Sequence, residues 1–254
     1  MTPPDAASRF RDLHRAGDPL VLYNVWDAGG AKALAEAGAK AIGTGSWSVA
    51  AAHGYPDGET IPLDQALWIV ERIVRSVDVP VTVDFEGGYA VDPGQVTENV
   101  RRVIGAGAVG INFEDGIVGG TGLHETQDQA RRIEACRTAA EREGIVLFVN
   151  ARTDLFLQAE DRAAHPDLMD EAERRMAAYV SAGADGVFLP GLDAPDLIER
   201  ACAVAARPAN VMMTGANARV ADMATLGIAR ASFGPVPFLK AMDDLVARSA
   251  EATN

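Results

Sequence analysis

VPVTVD, residues 79–84, is an unbroken apolar run that stops on an acid, and the chain continues directly into FEGGYA, residues 85–90. A strand with one wet face alternates apolar and polar residues. A run without that alternation fits a strand covered on both faces, as in a parallel sheet flanked by helices. Comparable runs stand at 20–24 (LVLYN), 39–43 (AKAIG), 109–113 (VGINF), 145–150 (IVLFVN), 186–189 (GVFL), 209–213 (ANVMM) and 228–233 (IARASF). Helical spacing fills the intervals, at 28–37, 62–76, 93–105, 125–143, 168–182, 195–205 and 219–226, with a last segment at 236–250. An Ala-Gly-Ala triplet precedes three of the strands (AEAGAKAIG, IGAGAVGINF, SAGADGVFL), where its glycine can close the preceding helix in the left-handed conformation. Eight strands alternating with eight helices in 254 residues predict a (β/α)8 TIM barrel. An open doubly wound sheet is the runner-up, but no GxGxxG or GxxxxGK[ST] fingerprint follows a strand. No linker interrupts the pattern, so residues 1–254 read as one domain, with 5–16 forming an extra helix across the bottom of the barrel.

Composition narrows the class of function. The first 18 residues, MTPPDAASRFRDLHRAGD, carry charges throughout and lack the apolar run of a secretory leader, and no later apolar segment approaches the ~20 residues of a membrane span. A cytoplasmic protein is expected. Cys136 and Cys202 both fall in helical patterns, which supports neither a disulfide framework nor a thiolate metal cluster. A net charge of −13 argues against nucleic-acid or anionic-membrane partners.

In such barrels the chemistry sits at the C-terminal ends of the strands. Strand two runs into GTGSWS and the loop HGYPDGE; strand three ends at Asp84 and continues to Glu86; strand four ends at Glu114 and Asp115. Strand five leads to Asn150, Arg152 and Asp154, while strands six and seven end in the uncharged LPGL and MMTG. Two carboxylates ~5 Å apart repel by roughly 3 kcal/mol at an effective dielectric near 20. Arg152 neutralises one of them, and hard oxygen donors gathered round one opening suit a divalent cation such as Mg²⁺. An acid at a strand end is often only the N-cap of the next helix. That reading is poor for Asp84 and Glu86, because the next helix signal begins at Asp92-Pro93. Arg152 pairing structurally with Asp154 stays open as the plainer reading. His53, His124 and His165 read as solvated, and Met212, Met213 and Met223 as core. None of Lys32, Lys40 and Lys240 stands at a strand's C-terminal end, which removes a Schiff-base mechanism.

The motifs GTGSWSVAAAHGYPDG (43–58), VTVDFEGGYA (81–90), GINFEDG (110–116) and FVNARTD (148–154) resemble, in order and spacing, the isocitrate lyase/phosphoenolpyruvate mutase superfamily. The similarity covers most of residues 20–235. It implies a (β/α)8 barrel, a dimer of dimers exchanging its eighth helix, and Mg²⁺, replaceable by Mn²⁺, bound together with a small 2-oxocarboxylate or a phosphonate relative. By the same resemblance Asp84 is the direct metal ligand, and Glu86 and Glu114 hold metal-bound waters, with DFEGGYA here where many relatives read DxDxGYG. Asp57 corresponds to the catalytic aspartate of a mobile loop, Ser46 and Trp47 to the pair whose backbone N–H groups receive the oxo oxygen, and Arg152 to the arginine on the substrate carboxylate. Gly54 and Gly58 flank Asp57 as hinges for a lid.

Departures from the pattern choose among activities. EDGIVGGTGLHE, residues 114–125, has neither the cysteine and lysine of the KxCGH-like motif of isocitrate and methylisocitrate lyases nor the lysine and Thr-Asn-Ser of the phosphonate mutases. Pro190 replaces the mutases' histidine after strand six. The leading expectation is a Mg²⁺-dependent C–C lyase or decarboxylase acting on a small 2-oxocarboxylate, such as an oxaloacetate-like acid, through a pyruvate-type enolate. The alternatives are a phosphonopyruvate-type C–P mutase or hydrolase, and a non-catalytic 2-oxoacid-binding protein. A homo-oligomer, dimer or tetramer, is expected, with the amphipathic PVPFLKAMDDLVARSAEATN (235–254) as the candidate exchanged helix.

Overall fold

The computed structural model describes residues 3–215 and 219–253. Eight strands form one sheet: β1 Leu20–Leu22, β2 Ile42–Gly43, β3 Val81–Asp84, β4 Gly110–Glu114, β5 Phe148–Arg152, β6 Gly186–Leu189, β7 Ala209–Met212 and β8 Arg230–Ser232. All pairings are parallel, each strand lies beside its sequence neighbours from β2 to β8, and β8 returns to β1. The seam between β1 and β2 closes through a bridge between Val25 and Thr44, where the Val25 N–H donates to the Gly43 carbonyl at 2.9 Å. The result is the expected (β/α)8 barrel.

The helices are α1 Pro3–Asp12, α2 Ala28–Glu36, α3 Ser46–Ala52, α4 Leu63–Val74, α5 Pro93–Gly105, α6 Thr126–Glu143, α7 His165–Ser181, α8 Pro195–Val204, α9 Val220–Thr225 and α10 Val236–Ala252. Their ends follow local chemistry. Asp27 caps α2 by accepting from the Gly30 N–H, and Asp92 caps α5 by accepting from Gln95, with Pro93 in the first turn. The three Ala-Gly-Ala glycines, Gly38, Gly107 and Gly183, have φ of 98°, 95° and 105°, the left-handed turn that side chains resist.

Strand residues alternate between two surroundings. Outward residues such as Ile111, Phe113 and Val149 pack with Val96, Val100 and Ile133 of the surrounding helices. A second cluster gathers Val187, Val211 and Ala231 with Met169, Met176 and Ile198. Inward, α1 plugs the bottom: Phe10 meets Phe148 edge-on at 5.5 Å, and the His14 ring stacks on Phe148 at 4.1 Å. A Cβ at Gly110 would lie 2.8 Å from the Phe10 ring, so that strand must be bare where the plug enters. Above the plug the axis is polar, filled by Asn112, Asn150, Asn210, Arg230 and Ser232, all buried.

Two expectations shift. Strand five lies at 148–152 rather than 145–150, so Arg152 is a strand residue held rigidly and not a loop residue. The segment after β2, read as a loop, contains the short helix α3. Cys136 and Cys202 are free thiols in α6 and α8. Among the described residues no helix is long and apolar enough to cross a membrane.

Candidate active site

A cavity of about 310 Å³ opens at the C-terminal ends of the strands, and Ser46, Trp47, Asp57, Asp84, Glu86, Glu114 and Arg152 all line it. The pleat explains this convergence. Inward residues sit in register across neighbouring strands, Asp84 opposite Asn112, Glu114 opposite Arg152 and Arg152 opposite Phe188.

Asp84 ends β3 with both oxygens engaged. Its Oδ2 accepts from the Ser46 backbone N–H at 3.1 Å and the Ser46 hydroxyl at 2.8 Å, and its Oδ1 accepts from Asn112 Nδ2 at 3.2 Å. Ser46 opens α3, so its amide, assigned above to a substrate oxygen, meets the Asp84 carboxylate in this structure. The Trp47 ring stands against Phe238 of α10 at 5.9 Å between centroids.

Glu86 follows β3 in a left-handed turn, with φ 49°. Its Oε1 accepts from the backbone N–H of Gly58 at 3.2 Å and of Glu59 at 3.1 Å. Glu59 Oε1 answers by accepting from the Tyr89 N–H at 2.7 Å. The loop carrying Asp57 is therefore fastened to the loop after β3 by reciprocal carboxylates. Glu59, Glu86 and Tyr89 are the non-glycine residues with positive φ among those described, and each such residue costs on the order of 1 kcal/mol. The strain is concentrated in these two loops.

Arg152 is surrounded by acids. Its Nη1 lies 3.0 Å from Glu114 Oε2 and 3.8 Å from Asp84 Oδ1; Nε and Nη2 donate to the two oxygens of Asp154 at 2.5 and 3.1 Å. Arg152 is thus paired with Asp154, as the plainer reading has it, and it also lines the cavity. Burial alone would lower its pKa, but Glu114, Asp154 and Asp84 outweigh burial and hold it well above its usual value. Burial pushes the Glu86 carboxyl up to about 8, helped by the Asp84 charge. It likewise raises Glu114 well above the carboxylate range, against the pull of Arg152. Asp57 is raised by burial too.

Asp115 does not belong to this group. It points outward from the barrel, where its Oδ2 receives the Tyr179 hydroxyl at 2.7 Å and Arg175 Nη1 at 3.1 Å, and its Oδ1 receives the Asp154 N–H at 2.9 Å. Met213 and Met223 are core as expected, whereas Met212 lines the cavity. His165 is buried against Phe156 rather than solvated.

The donor chemistry fits a hydrated divalent cation. Among the described residues no three His, Cys, Asp or Glu side chains close on a single point, so a cage built wholly of side chains is not the arrangement. Mg²⁺ keeps several waters and takes one or two carboxylates directly. Asp84, with Glu86 and Glu114 lining the same cavity, matches that demand, and the Glu86 and Glu114 carboxyls are raised by burial first and by neighbouring acids second.

Residues 10–253 match the phosphoenolpyruvate phosphomutase family. The chain belongs to that family. Phosphoenolpyruvate phosphomutase family proteins fall within the isocitrate lyase/PEP mutase superfamily, whose members are metal-dependent lyases and mutases acting on 2-oxocarboxylates. A crystal structure from Burkholderia cenocepacia J2315, described provisionally as a phosphonomutase, is 45% identical, covers 99% of this chain and 100% of its own, and superposes with a TM-score of 0.96. An uncharacterized protein of Mycobacterium tuberculosis is 33% identical over 230 residues, 90% of this chain and 83% of the relative. Oxaloacetate decarboxylase of Paraburkholderia xenovorans is 27% identical over 238 residues, 91% of this chain and 75% of the relative.

Some features of this family member's site escaped the sequence reading. Asn112, which orients Asp84, and the apolar lining residues Ile117, Leu157 and Phe188 were not singled out, and Met212 beside them was expected in the core. The signal was strand parity: Asn112 lies two residues before Glu114, and the same inward alternation places Met212 two residues after Asn210.

Proposed function

We propose that the protein is a Mg²⁺-dependent lyase that breaks the bond between C3 of a small 2-oxocarboxylate and its substituent, leaving a pyruvate-type enolate. The observation that carries this reading is the convergence of Asp84, Glu86, Glu114, Arg152 and Asp57 on one cavity. Asp84 would hold the metal, with Glu86 and Glu114 on its waters, and the metal supplies electrophilic pull on the substrate's 2-oxo group. Arg152, fixed as a cation by Asp154 and Glu114, binds and orients the substrate carboxylate. Backbone N–H groups at the start of α3, of which Trp47's is the one not assigned to Asp84, face the developing oxyanion. Asp57, on its fastened loop, closes the site from water and handles the proton. A panel of 2-oxo acids incubated with Mg²⁺ or with excess chelator, read by release of a 2-oxo acid product, tests the proposal. Chelator-sensitive release from one member is expected. Release that ignores chelator, or Mg²⁺-dependent binding with Asp57→Ala turnover unchanged, overturns it.

The same reading extends to assembly. In α10 only Pro237 and Phe238 are buried, while Leu239, Leu245 and Val246 are 45%, 61% and 69% exposed. Such an apolar stripe fits packing against a second copy of the chain. A homo-oligomer by sedimentation is expected, and a monomer at micromolar concentration contradicts it.

A further inference from the structure

The cavity has two unlike halves, and the second half bears on what the substrate carries at C3; this inference rests on the function proposed above. One side presents Asp57, Asp84, Glu86 and Glu114, where metal and oxo-acid would sit. The other side, from the loops after β4 and β5 round to β7, carries Ile117, Leu157, Phe188, Pro190 and Met212, and its polar members are Asp154, held by Arg152, and Gln158, whose Nε2 donates to the Gly122 carbonyl. Arg152 is the one lysine or arginine among the lining residues, and its three nitrogens already face Asp154 and Glu114.

One cation and one divalent ion suffice for a single substrate carboxylate with its neighbouring oxo oxygen. A second anionic group at C3 would meet a mainly apolar wall that offers it no cation, in a cavity lined by five carboxylates, and burying an unpaired charge is strongly unfavourable. We propose that the C3 substituent is uncharged and largely apolar. Among fragments that C3 can shed while keeping the bonding pair, carbon dioxide leaves from a carboxylate and metaphosphate from a phosphonate, both charged. An aldehyde leaves from a neutral carbinol. The substrate class is therefore a 4-hydroxy-2-oxoalkanoate with an alkyl group beyond C4.

The step balances without oxidant, reductant or water. The 4-hydroxyl proton passes to the Asp57 carboxylate, which has no ion pair among the described residues. The C4–O bond becomes a carbonyl, the C3–C4 bond breaks, and its electron pair remains on C3 as the enolate. Asp57 returns the proton to C3, giving pyruvate and an aldehyde.

The test compares kcat/KM of the Mg²⁺-loaded wild type for 4-hydroxy-2-oxoheptanoate and for oxaloacetate, both read by pyruvate release. At least tenfold preference for the hydroxyalkanoate is expected. Leu157→Arg, at a wall position 46% exposed and outside the catalytic machinery, places a cation on the apolar side and should shift that ratio at least tenfold toward oxaloacetate. A wild-type preference for oxaloacetate, an unshifted ratio in the variant, or turnover of neither acid overturns the proposal. Calorimetric binding of oxalate with and without Mg²⁺ separates the two levels. If oxalate binding is Mg²⁺-dependent and lost in Asp84→Ala while oxaloacetate is preferred, the substituent assignment fails and the lyase reading stands; if oxalate shows no Mg²⁺-dependent binding, both fail.

Discussion

Arg230 donates from Nη2 to the side-chain oxygen of Asn112 at 3.0 Å, and this contact settles which way the Asn112 amide faces. Asn150 Nδ2 donates to the same oxygen at 2.9 Å. With its oxygen taken by two donors, Asn112 can present only its nitrogen to Asp84 Oδ1. The candidate metal ligand is thus aimed from below by a buried guanidinium that has no carboxylate within 4.0 Å among the described residues; burial lowers the Arg230 pKa to about 9 despite the Asp84 charge.

Asn112→Leu should weaken Mg²⁺ binding by about 10–100-fold, the usual effect of losing a group that orients a ligand. It should also destabilise the fold by about 1–3 kcal/mol, because the Arg230 and Asn150 donors lose a buried acceptor. Calorimetry and urea unfolding read the two effects. Unchanged Mg²⁺ affinity would show that the relay does not govern Asp84.

Asp57→Asn should lower kcat by about 10²–10⁴-fold while leaving oxalate affinity within a few-fold, since a proton-transfer group acts in the transition state. Parallel loss of binding would place Asp57 in ground-state recognition.

Asp115→Ala should cost about 1–3 kcal/mol of stability, because the buried Tyr179 hydroxyl and Asp154 N–H lose their acceptor, while Arg175 keeps Glu171 and the His124 carbonyl. Its neighbour Glu114 faces the cavity, so Glu114→Gln should affect Mg²⁺-dependent oxalate binding far more than melting. A loss below 1 kcal/mol for Asp115→Ala would contradict the structural role.

Acid stability should depend on His14. Nδ1 lies 2.8 Å from the Phe10 carbonyl oxygen and so carries the proton, while Nε2 is buried without a partner among the described residues. Burial first, and the Arg230 charge second, lower its pKa to about 3 from 6.5. Between those values the unfolded chain binds a proton that the folded protein refuses, so the contribution is full above pH 6.5 and is lost as pH falls toward 3. The slope is about 1.4 kcal/mol per pH unit. Urea unfolding at pH 7, 6 and 5 should show His14→Phe losing stability less steeply than wild type; equal slopes would refute this.

Much of the site could be read from the chain because its acids stand where strands end. Asp84 and Glu86 had no helix to cap, and Glu114 and Arg152 closed two apolar runs. Glu114 and Asp115 could not be separated that way: adjacent strand residues point to opposite sides, and only the packed α7 shows which acid is structural. The helix α3 was hidden because SWSVAAA is too short for its periodicity to differ from a loop. The polar axis was equally hidden, since one asparagine inside an apolar strand looks the same whichever face it takes.

That axis divides the protein into two shells. Where apolar layers would normally fill the hollow of a barrel, amides and a guanidinium lead up to the carboxylate rim, and apolar packing lies mainly between sheet and helices and in the bottom plug. Heritable change can then follow two separate routes. Substitutions in the outer shell tune thermal tolerance at little cost to the chemistry, whereas an apolar replacement on the axis is felt in both stability and chemistry, so adaptation to temperature has a route in descendants of this chain that divergence in substrate does not share.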